Sequence, residues 1–494
     1  MGRVSERLSL RTVGRVPAGA RPAVLPGDVR AGIAHLGLGA FHRAHQAVYT
    51  EAAIAAGGGS DWAIVGVAPR SRDVLNAIAE QDGLFSVVTL DDGGARAKVL
   101  GAFAGLRHAA SDPAGVVGLL ADPDIRVVTL TVTEKAYALD PATGTLRDDP
   151  QVRADLTTDR APTTVPGLLV AGLRARAAAD AGPVALASCD NLPTNGERLR
   201  GLITQALALA GDDRAAAWVG ANVSFPSTMV DRIVPATTAD TLARAEAALG
   251  VVDLAPVAAE PFMQWVIEDD FPGGRPAWDL AGATMTTDTT PYEHLKLRAL
   301  NGVHSTMAYL GALAGREYIA DALALPGMAD LLRRMIAEDI APSLRPPAGV
   351  SVIEYGESVL SRFANPALGH RTLQVAMDGT QKLPQRVLHG MLERRAAGAS
   401  PRWGALVVAA WMRFAAGRAD DGRELPLDDP LAGPVRAALA AAGGKPDEIV
   451  GALLDLRQVF PAELAEDEVV RGLITGWLTD LTAHGAATTV AGAR

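Results

Sequence analysis

Cysteine is almost absent from this 494-residue chain: Cys189 stands alone, so no disulfide can close within it. A single thiol suits a reducing compartment. Apolar runs long enough to cross a bilayer are missing as well. Residues 1–16, MGRVSERLSLRTVGRV, lack the apolar core of a signal peptide. The expectation is a cytoplasmic protein with no membrane partner. Excess positive charge is also missing. Lys and Arg number 46 against 56 Asp and Glu, a net charge of −10, which argues against a nucleic-acid surface. No Cys/His/Glu set has zinc-ligand spacing, so no metal is expected. No internal repeat is found.

What is present is a globular composition, 49% hydrophobic, long enough for more than one core. The first half alternates apolar β-like runs with helical stretches. AGIAHLGLG (31–39) reads as a strand entering a glycine turn, with a helix over 41–57 behind it. Strands are expected at 62–68, 125–133, 183–189 and 217–225, and a helix at 73–81. FSVVTL (85–90) pairs in a hairpin with AKVLGAF (97–103) across Asp92-Gly93-Gly94. Continuous apolar strands spaced by helices predict a parallel sheet covered on both faces. After Pro291 the strand signals fade. The segments 328–344, 352–364, 403–417 and 466–485 all show helical period, and the tail 485–494 is expected to fray. The predicted fold is an α/β, Rossmann-like N-terminal domain over residues 1–288 and a mainly α-helical C-terminal domain over 289–494. A cleft between two such halves would draw residues from both.

The glycine turn HLGLGAFHRAHQ places Gly37 and Gly39 after a strand and before a helix, where backbone N–H groups can approach a pyrophosphate. The third glycine of the usual fingerprint is missing; His42 stands there. A tight turn without ligand would also use two glycines, but His42 and Arg43 nearby tilt the reading toward an anion. The ribose-binding acid expected near residues 67–72 is missing too. Arg70 and Arg72 stand there and could meet a 2′-phosphate, so NAD and NADP are both open on this ground.

SCDNLPTNGE (188–197) follows a strand, where open α/β sheets bind ligands. An Asx-turn and a helix N-cap at Thr194 or Asn195 explain part of its polarity, and leave Asn191 over. YEHLKLRALNGVHSTMAYLG (292–311) reads as one long helix carrying Lys296, Asn301 and His304 into an Ala/Leu-rich segment. At about 1.5 Å and 100° per residue, Asn301 lies about 7.5 Å and His304 about 12 Å along the axis from Lys296, all within roughly 140°. A snorkelling lysine is the ordinary alternative. Alcohol oxidation by a nicotinamide fits the set better: it needs a base for the hydroxyl proton and donors for the alkoxide-like oxygen. A desolvated lysine can be that base, and Asn191 and Asn301 the donors, each worth about 2.7–4 kcal/mol in other systems.

These residues sit in motifs that together resemble the mannitol dehydrogenase family, the polyol-specific long-chain dehydrogenases. GLGAFHRAHQAVY, TVTEKAY, SCDNLPTNG, FPSTMVDRIVP, EPFMQWVIEDDFP and PYEHLKLRALNGVHS run in the family's order, and the resemblance spans roughly residues 30–390. It implies a metal-independent enzyme with Lys296 as acid/base and Asn191 and Asn301 as oxyanion groups. His304 and Asp231 would contact substrate, and Glu293 would lie on a proton path. Gly37, Gly39, Phe41, Arg43, Arg70, Thr133 and Glu134 would line an NAD cofactor, with NADP possible. Within the family, RFANPALGHRTLQVAMDGTQKLPQR (362–386) resembles the branch that reduces fructuronate. Mannitol 2-dehydrogenases tend to carry arginine where Gln374 stands. Lys382 and Arg386 are placed to receive the carboxylate of a hexuronate; the plainer alternative for both is a solvated helix start. The implied reaction interconverts D-fructuronate and D-mannonate. A mannitol 2-dehydrogenase or another polyol dehydrogenase is the alternative within the class, and a nucleotide-binding protein without chemistry the alternative outside it. The expected partner is the small hexuronate or polyol alone, with the chain a monomer or weak homo-oligomer.

Overall fold

The structure is a computed structural model that describes residues 6–91, 93–140 and 143–493. The chain forms two compact units, Met1–Thr289 and Thr290–Arg494.

The first unit is built on a six-stranded parallel sheet of β1 (Ala31–Leu36), β2 (Ala63–Ala68), β3 (Phe103–His108), β4 (Val127–Leu130), β5 (Val184–Ser188) and β6 (Val223–Ser224). Their spatial order is β3-β2-β1-β4-β5-β6. That is the doubly wound dinucleotide-binding order, with its switch point between β1 and β4. The sheet is covered on both faces, as the apolar runs require. Ala34, Leu36, Val128 and Leu186 join one core with Leu168, Leu199 and Ile203. Ile33, Ile64 and Val127 join another with Ala47, Tyr49 and Trp278. Odd and even residues of β1 thus face opposite layers, the period-2 alternation of a strand.

Several elements differ from the sequence reading. Residues 217–225 are not a strand but the end of a helix, Asp213–Asn222, followed by the two-residue β6. The Asp212 carboxylate caps that helix by accepting from Ala215 N at 2.9 Å, and Ala215 and Val219, four apart, supply its buried stripe. The helix expected over 41–57 breaks at His45 into Ala40–Ala44 and Gln46–Ala55. The hairpin forms between Phe85–Asp91 and Gly94–Leu100. Asp92 of its turn lies outside the described residues, and Phe103 starts β3 rather than ending the hairpin. Val257–Ala259 adds to this hairpin in parallel. A third sheet joins Thr228–Asp231, Gln264–Glu268 and Thr284–Thr286.

The second unit is helical, with no strand among its described residues beyond isolated bridges. Its core lies between Val303–Leu313 and Arg402–Ala415, where Tyr309, Trp403, Trp411 and Phe414 are buried. The tail does not fray. Ala486–Gly492 is a helix with Ala486, Thr489 and Val490 buried. Asp420 accepts from Ala486 N at 2.6 Å, and Gly327 passes so close to Val490 that a Cβ there would lie 2.8 Å from its carbonyl oxygen. Burial and a cap outweigh the terminal position; Arg494 lies outside the described residues. No helix among the described residues is long and apolar enough to cross a membrane.

Candidate active site

In the first unit the carboxyl ends of β1, β2, β4 and β5 gather the sequence-predicted residues. Gly37 follows β1 with φ +112°, and a Cβ there would fall 2.1 Å from the Thr131 carbonyl oxygen. Only glycine fits. At Gly39 a Cβ would meet nothing nearer than 3.9 Å. The protein leaves room there, at the place where a dinucleotide fold lets a pyrophosphate reach the backbone. The turn therefore fits a dinucleotide.

His42 and Arg43 do not supply the cations the sequence reading gave them. The His42 ring is buried and stacks on His35 with centroids 3.3 Å apart and 10° between planes. Neither of its nitrogens has a hydrogen-bond partner among the described residues. Burial first, then the neighbouring His35, hold its pKa well below the ordinary histidine value, so the ring is neutral. Arg43 is buried too, bonded to the Ala255 carbonyl and lying over the Phe85 ring at 5.7 Å. Its guanidinium serves the interior, not the glycine turn. Phe41 is half-buried and stacks on His45 at 5.0 Å.

Beyond β2, Arg70 and Arg72 are exposed. His108 ties them down: its Nε2–H donates to the Arg70 carbonyl at 2.8 Å and its Nδ1 accepts from Arg72 Nε at 3.3 Å. Beyond β4, Thr133 has φ +71° and is exposed, as is Glu134 after it. Asp190, beyond β5, fixes that loop. It accepts from Val132 N and Thr133 N, both at 3.0 Å, and from the Tyr137 hydroxyl at 2.7 Å. Asn191, next to it, is exposed. The capping expected at Thr194 or Asn195 is not what forms. Thr194 is left-handed without a side-chain cap bond. Asn195 is buried and bonds both ways to Thr228, Nδ2 to its carbonyl at 2.8 Å and Oδ1 from its N–H at 2.9 Å. Asp231, at the end of that strand, is buried opposite Gln264.

In the second unit the long motif helix is continuous but not uniform. Thr290–Leu295 is α, Lys296–Gly302 is π, and Val303–Leu313 is α again. A π turn closes i→i+5 bonds and holds more residues than an α turn. The 140° arc expected of an α-helix is therefore not kept across Lys296–Gly302. Glu293, Lys296 and Asn301 are buried, Lys296 at 9% exposure. The Asn301 Nδ2 is buried with no acceptor among the described residues, a polar group whose burial calls for a partner. His304 lies between Phe363, stacked at 4.4 Å, and His370 at 5.5 Å. Its Nε2 is likewise buried without a partner among the described residues. Burial, then His370 and the cations Arg386, Lys382 and Arg362, keep it neutral with a pKa well below the usual value.

The π segment is gripped from two directions. Arg298 leaves it to bond Ser343 Oγ at 3.1 Å and Glu393 Oε1 at 2.8 Å. Arg386, on the π turn Pro384–Leu388, sends Nη1 back to Ser305 Oγ at 3.0 Å and to the Asn301 carbonyl at 3.4 Å. Lys382 is half-buried, and its Nζ donates to the Val375 carbonyl at 3.3 Å. Burial, then the Arg386 charge, bring its pKa down to about 8; burial brings Arg386 down to about 10. No carboxylate oxygen lies within ion-pair distance of either among the described residues. Gln374 is exposed on the short helix Thr372–Ala376. Among the described residues no group of three His, Cys, Asp or Glu could hold a metal.

The sequence reading passed over His35 and the ring pair Phe363 and His370. A histidine inside the otherwise apolar AGIAHL was the signal for the first; nothing in sequence spacing announces the second.

A doubly wound sheet with a glycine turn at its switch point, followed by a helical unit carrying a buried Lys and Asn and a half-buried His on one helix, has the make-up of a two-unit dehydrogenase. The chain belongs to the mannitol dehydrogenase family: residues 31–280 match the mannitol dehydrogenase Rossmann domain and residues 288–479 the mannitol dehydrogenase C-terminal domain. It is 39% identical over 477 residues to D-mannonate oxidoreductase of Escherichia coli, covering 96% of this chain and 97% of that one. It is 40% identical over 416 residues to mannitol 2-dehydrogenase of Cereibacter sphaeroides, covering 84% and 86%. Among solved structures it is similar to Pseudomonas fluorescens mannitol 2-dehydrogenase in ternary complex with NAD and D-mannitol, with TM-score 0.86, 34% identity and 98% of each chain covered.

Proposed function

We propose that this family member is a nicotinamide-dependent oxidoreductase that interconverts D-fructuronate and D-mannonate. The observation that carries the substrate class is the pair Lys382 and Arg386. Both cations are removed from bulk water, and neither has a carboxylate within ion-pair distance among the described residues. Asp378 and, for Lys382, Asp429 act on them only from beyond ion-pair distance; partly buried charge without a directly paired counter-charge is costly, and a hexuronate brings a carboxylate where mannitol does not. Gln374, in place of the arginine that mannitol 2-dehydrogenases tend to carry, supports the same branch.

The nicotinamide, when bound, supplies the hydride in the reducing direction. Lys296, as ammonium, delivers its proton to the keto oxygen. Asn191 and the Asn301 amide, whose Nδ2 has no acceptor among the described residues, hold that oxygen as it gains charge. Neutral His304 binds a substrate hydroxyl through its unspent Nε2, and Asp231 another. Glu293, one turn before Lys296, carries the proton to and from it. Gly37, Gly39, Phe41, Thr133 and Glu134 line the dinucleotide. NAD(H) is the preferred form by family resemblance, and the exposed Arg70 and Arg72 govern how far NADP(H) is accepted. The enzyme acts in the cytoplasm, as a monomer or weak homo-oligomer, with no nucleic-acid or membrane partner.

The test is a panel of fructuronate, tagaturonate, fructose and mannitol against NAD(H) and NADP(H). The reading predicts the highest kcat/KM for fructuronate with NADH. A preference for fructose or mannitol would overturn the branch. Turnover of none of them, with NADH still bound, would favour the non-catalytic alternative.

A further inference from the structure

The proposed chemistry uses neither of the two buried imidazoles beneath the glycine turn. His35 is fully buried, on the face of β1 that looks toward the helix carrying His42. Thr129 is its partner across the ladder on β4, and Thr131 is two residues further along the same face. His35 Nδ1 lies 2.7 Å from Thr129 Oγ1, and Nε2 lies 3.0 Å from the Gly37 carbonyl and 2.9 Å from Thr131 Oγ1.

These distances fix the tautomer. A carbonyl oxygen only accepts, so Nε2 carries the proton and Nδ1 accepts from the Thr129 hydroxyl. Burial brings the His35 pKa down to about 3, so this neutral form holds at working pH. The Gly37 carbonyl then receives three donors: His35 Nε2–H, the Thr131 hydroxyl at 2.9 Å, and Gly39 N at 2.6 Å. A trans peptide sets its N–H opposite its C=O. The peptide that follows Gly37 is trans, so pinning the carbonyl toward Thr131 turns the Leu38 N–H the other way, away from β4. That N–H has no acceptor among the described residues. His42 occupies the place of the missing third glycine and stacks flat on His35, which keeps the ring edge aimed at Gly37.

We propose that His35 is a positioning residue for dinucleotide binding: with Thr131 it holds the Gly37 carbonyl so that the Leu38 N–H is presented to a phosphate oxygen of the cofactor. The inference rests on the reading of the protein as nicotinamide-dependent. It also accounts for the departure from the glycine fingerprint, since an imidazole pair does the packing that a third glycine would do.

The test titrates the full-length protein with NADH, ADP-ribose and adenosine, by fluorescence or calorimetry, beside the ligand-free Tm. His35→Leu removes the donor; His35→Gln keeps an N–H near the place of Nε2. His35→Leu should weaken ADP-ribose and NADH about tenfold, equivalent to about 1.4 kcal/mol. It should leave adenosine, which has no phosphate, within about twofold, and kcat at saturating cofactor within about threefold. His35→Gln should regain most of the loss. Unchanged ADP-ribose affinity, or an equal loss of adenosine, would overturn the role. If His35→Leu does not fold, Thr131→Val carries the same test, with weaker ADP-ribose binding expected and unchanged binding overturning it. A wild-type protein that binds neither NADH nor ADP-ribose would instead overturn the cofactor reading itself.

Discussion

Arg386 donates through Nη1 to the Ser305 hydroxyl at 3.0 Å, joining the π turn Pro384–Leu388 to the helix that carries Lys296, Asn301 and His304. The same nitrogen reaches the Asn301 carbonyl, so this guanidinium braces the wide turn as well as bearing charge.

Brace and charge can be separated. Ser305→Ala removes one hydrogen bond and leaves the cation in place. It should cost about 1 kcal/mol of stability, the usual worth of such a bond, seen as a lower urea midpoint of the second unit. KM for fructuronate should stay within about twofold, since binding differences of that size are below 1.4 kcal/mol. A tenfold rise in KM would mean that Ser305 sets substrate affinity.

Lys296→Ala should remove most turnover. In the proposed mechanism Glu293 exchanges protons only through Lys296, so no other group on the motif helix hands the proton to the substrate, and general acid–base catalysis contributes on the order of 10²–10⁴-fold. NADH affinity should be nearly unchanged. Single-turnover measurement isolates the step, and a mutant within a few-fold of wild type would make Lys296 structural.

Lys382→Met should raise KM for fructuronate by roughly one to two orders of magnitude, from about 1.5–3 kcal/mol for a charged hydrogen bond. Uncharged fructose should be affected much less. With its pKa brought down to about 8, Lys382 loses its charge as pH rises through that value. Wild-type KM for fructuronate should therefore climb above pH 8 while that for fructose does not. Equal losses with both substrates would deny Lys382 the carboxylate.

Acid should destabilise the protein early. Burial lowers the pKa of His35, His42, His304 and His370 in the folded chain, while the unfolded chain takes up protons near 6.5. The unfolded state then binds more protons below 6.5, so stability is full above that pH and falls as pH drops, by up to about 1.4 kcal/mol per pH unit for each such histidine. Urea midpoints at pH 7.5 and 5.5 measure this. His42→Phe, which keeps the ring stack without the nitrogens, should flatten the slope for the first unit. An unchanged slope would mean that His42 takes up its proton as readily folded as unfolded.

The sheet was legible because each strand is a short apolar run between turn residues, and Gly37 because its neighbours leave room for no side chain. Residues 217–225 were misread because a short apolar run has no decisive period; Asp212, outside that window, settles it by capping. The cationic reading of His42 and Arg43 failed for a different reason. Sequence shows that the two follow a glycine turn, not which side of a five-residue helix they leave from, and both leave toward the interior. The π segment was invisible because Lys296–Gly302 has the composition of any helix. It is held by Arg298 and Arg386, whose partners lie between about forty and a hundred residues away.

The wide turn makes chain length a determinant of where the polar groups stand. In a plain α-helix the loss of one residue winds back all that follows by about 100° and draws it in by about 1.5 Å. Here the wide turn already holds a residue more than an α turn would. Losing one between Lys296 and Gly302 would let the segment relax into ordinary α-helix with the helix beyond it nearly in register. His304 would keep its place beside Phe363 and His370, while the residues between Lys296 and Asn301 would close up. The wide turn is thus a place where family members can differ in length by one residue and alter the spacing of lysine and amide without moving the histidine.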